Sequence, residues 1–146
     1  MTTPNRIVGL KGNKPMVSEF QIQSTFIECL AHLHPDCVYF AVPNEAKRSL
    51  REGARMKKLG LHPGAADMVF LARTYACVIE FKTLTGTQTK EQREFEAWCV
   101  ANGIRYRICR TVRDALWTLG RTWGLIHNQR LVSFLEAFKE PGTDAN

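Results

Sequence analysis

The stretch Gly64 to Lys82, GAADMVFLARTYACVIEFK, constrains this chain more than any other. It holds two apolar runs of strand length and strand composition, Met68 to Leu71 and Ala76 to Phe81. Arg73, Thr74 and Tyr75 between them are few enough for a hairpin connection. Side chains alternate along a strand, so Val78, Glu80 and Lys82 share one face, with neighbours about 6–7 Å apart. A carboxylate and an ammonium thus stand side by side at a strand end. Asp67, at the head of the neighbouring strand, falls close to both. Two acids converging beside a lysine at the edge of an apolar sheet are costly to bury without a counterion. A divalent cation is one solution, and carboxylate oxygens suit Mg²⁺.

The spacing D-x12-E-x-K, from Asp67 through Glu80 to Lys82, resembles the PD-(D/E)xK nuclease superfamily. More narrowly, the ordered segments AVPNEAKR, KKLGLHPGAADMVFL, VIEFKT and TKEQ resemble the VRR-NUC family, the virus-type replication-repair nucleases. The resemblance spans about residues 18–112. It implies a restriction-endonuclease-like α/β sandwich with a mixed central sheet flanked by helices. It also implies a catalytic set of Glu19, Asp67, Glu80, Lys82 and Gln92. Asp67, Glu80 and the backbone carbonyl of Phe81 would hold Mg²⁺ or Mn²⁺, with Glu19 reaching the ion directly or through water. Lys82 would orient the attacking water.

The rest of the chain reads locally. Ser18 and Gln21 form a capping-box pattern that starts a helix running to about Leu33, with Ile22, Phe26, Cys29, Leu30 and Leu33 as its buried stripe. Glu19 opens that helix. Apart from the resemblance, it reads equally well as a first-turn acid favoured by the helix dipole. Cys37 to Val42 is a strand. Glu45 to Leu59 is a helix carrying Lys47, Arg48, Arg51, Arg55, Lys57 and Lys58 against only two acids. Leu50, Ala54 and Met56 offer it a narrow apolar contact. Such a charge run is usually a solvated face. Just before the proposed catalytic strands it reads as a phosphate-binding face, giving affinity rather than base specificity.

Thr89 and Gln92 form another capping box, so Gln92 has a structural role besides the one the resemblance implies. Phe95, Trp98 and Cys99 are the inner face of the helix that follows. Ile104, Tyr106 and Ile108 then alternate with Arg105 and Arg107 on a half-exposed strand. Thr111 opens a further helix. From Trp123 to Phe138 an apolar helical pattern continues past the family match. It either completes the core or meets a second copy of the chain. The divisions expected are a basic arm (1–17), the nuclease domain (18–119) and a C-terminal helical extension (120–146).

The 146 residues suit one domain, and a net charge of +6 favours a polyanionic partner. The five cysteines lack CxxC spacing and read as buried reduced thiols of an intracellular protein. No apolar stretch approaches membrane-spanning length, no signal peptide is evident, and no P-loop calls for a nucleotide cofactor. The function expected is a metal-dependent, structure-specific DNA endonuclease of phage type, in the cytoplasm of a prokaryotic or phage-infected cell. It would act as a homodimer on branched DNA, above all four-way (Holliday) junctions, in replication, recombination or repair. The alternatives are a flap-specific or non-specific nuclease and a catalytically inactive DNA-binding module.

Overall fold

The computed structural model describes residues 16–43 and 49–143. Along the chain it forms α1 (Glu19–Leu33), β1 (Val38–Ala41), α2 (Leu50–Lys58), β2 (Met68–Leu71), β3 (Ala76–Phe81), α3 (Lys90–Ala101), β4 (Arg105–Cys109), α4 (Val112–Trp117) and α5 (Asn128–Ala137). A π-helical turn, Thr118–Thr122, prolongs α4. The strands form one mixed sheet in the order β1-β2-β3-β4. β1 to β3 run antiparallel, and β3 and β4 are parallel. Helix α3 makes the crossover between the parallel pair, as parallel strands require.

Both faces of the sheet are covered, as an α/β sandwich demands. Met68, Phe70, Cys77, Ile79 and Phe81 point to one face, where they join α1, α4 and α5 in the main core. Val78 points to the other, with Ala66 and Cys99 of α3. The architecture agrees with the mixed-sheet α/β fold expected from the sequence. The capping boxes at Ser18 and Thr89 both form, and the α1 stripe is buried residue for residue. The cysteines are unpaired. Burial pushes the thiols of Cys29, Cys37 and Cys77 up to about 11 and that of Cys109 to about 12. They are packing residues, not nucleophiles. No helix among the described residues is long and apolar enough to cross a membrane.

Two expectations are corrected, and one open alternative is decided. Helix α2 starts at a capping box on Ser49 and Glu52, and none of its residues is buried. Leu50, expected to make its apolar contact, is 96% exposed. Trp98, expected on the inner face of α3, is 57% exposed, because only Cys99 of that helix reaches the sheet fully. Of the two readings of the pattern from Trp123 to Phe138, completion of the core is the one that the structure shows. Trp123, Ile126, Leu131 and Leu135 are buried in the main core, and Phe134 and Phe138 pack against it.

Polar contacts fix that last segment to the body. Tyr75 donates its hydroxyl to the carbonyl of Trp123 at 2.5 Å, and Arg130 reaches the carbonyl of Leu33 at 3.0 Å. The Glu140 carboxylate accepts from the backbone N–H groups of Val112 (3.0 Å) and Arg113, capping the start of α4. The segment from Trp123 to Phe138 therefore shares one core with α1, α4 and the sheet.

Candidate active site

Four polar or charged residues are buried in the described structure, and Asp67, Glu80 and Lys82 are three of them. All three sit at one end of β2 and β3. The β2–β3 register pairs Met68 with Ile79, and its continuation sets Asp67 opposite Glu80. The Asp67 Oδ2 accepts the backbone N–H of Phe81 at 2.7 Å, which ties the head of one strand to the tail of the next. Lys82 continues the Val78–Glu80 face, and its Nζ lies 3.4 Å from Glu80 Oε1. The same ammonium lies 3.8 Å from Glu19 Oε1, in the first turn of α1. Lys82 is thus paired with Glu80 and Glu19, while Asp67 is tied to the same strand end through the Phe81 N–H.

Gln92 carries both roles considered for it. Its Oε1 accepts from the Thr89 N–H at 2.8 Å and so closes the capping box of α3. Its Nε2 donates to Glu80 Oε1. One amide therefore caps the helix with its carbonyl end and holds the buried acid with its amine end. Gln23 lies on α1 beside Asp67 and donates to the Met68 sulfur at 3.5 Å.

Tyr106 is a site residue that the sequence reading missed. From β4 its hydroxyl donates to Glu80 Oε2 at 2.5 Å. Alternation had marked it only as an inward strand residue, and no local signal shows that its ring spans to the acid. Burial pushes the Glu80 carboxyl above its ordinary range, and the Tyr106 hydrogen bond and the Lys82 ammonium oppose that rise. Burial also pushes the Tyr106 hydroxyl up, and its bond to Glu80 adds to the effect. It stays protonated, and a donor, at neutral pH.

Two backbone features shape the surroundings. Arg110 clamps the turn after Lys82 by donating to the carbonyls of Thr83 (2.5 Å) and Gly86 (2.8 Å). That turn lies against Glu19, since a Cβ on Gly86 would sit 3.5 Å from Glu19 Oε1. Gly64 has φ of +76° and lies flat on the first turn of α3. Only a residue without a Cβ fits there, and this explains the glycine of the PGAAD segment.

Among the described residues, no three His, Cys, Asp or Glu side chains are gathered as a metal-binding group. Mg²⁺ does not need a cage of three side chains, because one or two carboxylates with water and phosphate commonly serve. Asp67 and Glu80 are hard oxygen donors on adjacent strand ends, and in chemistry they fit such an ion. Glu19 meets Lys82 from the first turn of α1.

Of the residues assigned to DNA, Lys47 and Arg48 lie outside the described residues, as does the N-terminal arm up to residue 15. Arg51, Arg55, Lys57 and Lys58 are exposed on α2. Lys57 borders a depression of about 340 Å³ that also includes Gly64, Thr89 and Gln92. The basic helix therefore ends at a depression that Gln92 also lines.

No protein-family model matches the chain, and no curated protein matches it. Among solved structures the chain is similar to one described as a VRR_NUC domain protein. The two share 17% identity and a TM-score of 0.49, over 68% of this chain and 82% of the other.

Proposed function

We propose that this chain is a divalent-metal-dependent DNA endonuclease of the VRR-NUC type. The observation that carries the reading is the burial of Asp67, Glu80 and Lys82 together at one end of the two central strands, where desolvating three charges is costly. The ordered motifs around them support it. Asp67, Glu80 and the carbonyl of Phe81 would hold Mg²⁺ or Mn²⁺, with Glu19 contributing from α1. When bound, the ion polarises the scissile phosphoryl group and lowers the pKa of a bound water.

The protein's own part follows from its contacts. Gln92 and Tyr106 hold the Glu80 carboxylate from both oxygens. Lys82, poised between Glu80 and Glu19, orients the attacking water and offsets charge that develops on the phosphoryl oxygens. Helix α2 binds backbone phosphates along its exposed basic face. Charge reversal at Arg51, Arg55 and Lys58 should therefore weaken DNA binding. It should also flatten the slope of log affinity against log salt, by about 0.9 for each phosphate no longer neutralised. An unchanged slope would place the DNA elsewhere.

Branched DNA, and four-way junctions first, is the substrate we propose. Symmetric cutting of a junction needs two active sites, which a twofold dimer supplies. With α5 committed to the core, such a dimer forms through another surface. The outer strand β1, which exposes Val38 and Phe40, is the candidate among the described residues. Labelled flap, fork, four-way and linear DNAs, cut with and without Mg²⁺, test the reading. It expects preferential cutting of the junction by a particle of twice 16.6 kDa. Equal cutting of all forms by a monomer would leave a non-specific nuclease. Tight binding without cutting would leave an inactive DNA-binding module.

A further inference from the structure

The donor side of the Glu80 site continues onto the outer strand β4 and the turn before α3. The Tyr106 hydroxyl gives its hydrogen to Glu80 Oε2 and accepts one from Gln88 Nε2 at 3.2 Å. The second hydrogen of the Gln88 amide goes to Glu96 Oε2 at 2.8 Å. Arg93 donates to the Gln88 backbone carbonyl at 2.8 Å and fixes that residue in its turn. The directions of these bonds are not interchangeable. A carboxylate only accepts, so Glu96 requires the amine end of Gln88 to face it. The same nitrogen then donates to Tyr106, whose own hydrogen is left for Glu80. The Tyr106 ring is held edge-on to Phe95, with centroids 6.3 Å apart.

We infer that Tyr106 is a positioning residue for Glu80, and that Gln88 and Glu96 aim it. Glu80 Oε1 is held by Gln92 and Lys82, whereas Oε2 is held by Tyr106. Without the hydroxyl, the carboxylate is held by one oxygen and turns more freely about its terminal bond. Groups that hydrogen-bond a metal-ligating side chain set its orientation, and their loss typically weakens metal affinity by about 10–100-fold. The inference rests on the metal-nuclease reading and adds to it a set of residues that no motif contains. A purely structural relay, tying α3 to β4, would move stability and leave metal affinity alone.

The test is calorimetric titration of Mn²⁺ into DNA-free protein, with a melting curve for each variant. Tyr106→Phe should raise the Kd for Mn²⁺ by about 10–100-fold. Gln88→Ala should shift it in the same direction by less, because the tyrosine stays but is no longer aimed. DNA affinity in EDTA should match the wild type for both variants. If Tyr106→Phe does not fold, Gln88→Ala decides. Folded variants with wild-type Mn²⁺ affinity would overturn this inference and leave the nuclease reading standing. A wild-type protein that binds no Mn²⁺ would overturn both.

Discussion

Asp67→Asn should abolish cleavage, lowering the rate by at least about 100-fold, while DNA binding in EDTA persists. The substitution keeps an acceptor oxygen for the Phe81 N–H, so the strand-end contact survives. It removes a charge that the reading gives to the metal. Lys82→Ala should be as inactive but is a harsher change. Lys82 is 6% exposed and Glu80 only 1%, so removing the ammonium leaves a buried carboxylate without its cationic neighbour. Breaking a buried pair in this way costs about 3–5 kcal/mol. The expected signature is thus loss of activity in both variants, with a clear fall in melting temperature only for Lys82→Ala. Folded Asp67→Asn that cuts at the wild-type rate would show that the site is misassigned.

Gly64→Ala should be the most damaging substitution outside the charged cluster. The φ of +76° is a left-handed conformation that costs an L residue about 1–2 kcal/mol. The added methyl also has no room. It would overlap the backbone carbonyl of Glu91 and stand 2.7 Å from the backbone nitrogen of Gln92. These are main-chain atoms of a helix, which cannot swing aside as a side chain does. Overpacking of this kind costs about 1–3 kcal/mol more. A total of roughly 3 kcal/mol corresponds to a drop in melting temperature of roughly 10 °C for a chain of this size. Because Gln92 holds Glu80, cleavage should also fall below what the lost stability explains. A melting temperature within about 3 °C of wild type, or roughly 1 kcal/mol, would contradict this packing.

Local rules carried much of the fold. The caps at Ser18, Thr89 and Thr111 and the stripe from Ile22 to Leu33 depend on residues three or four apart, and each forms as the sequence predicts. The hairpin and its register follow from alternation and a short connection. What local pattern could not supply was which apolar residues find a partner. Leu50 and Trp98 have the right spacing for burial, yet nothing covers them fully among the described residues. The apolar run of the last helix was ambiguous for the converse reason. Hydrophobic periodicity shows that a face is to be covered, not whether by the same chain or another copy. Leu131 and Leu135 resolve it by entering the main core.

The site was legible to the extent that its residues sit on one strand pair. Asp67, Glu80 and Lys82 are joined by spacing alone once the strands are recognised. Tyr106, Gln88 and Arg110 act from residues that are distant in sequence or lie in turns, through single hydrogen bonds. No periodicity marks them. The chain also sets Lys82 against both Glu80 and Glu19, so an ion-pair network accompanies the acids that spacing alone assigned to a cation.

The most direct measurement is metal add-back to EDTA-treated wild-type protein, with a labelled four-way junction as substrate and single-turnover cleavage as readout. No product should form in EDTA, and cleavage should be complete when Mg²⁺ or Mn²⁺ is restored. Cleavage that persists in EDTA, or folded protein that cuts neither the junction nor any other DNA with either metal, would contradict the metal-nuclease reading.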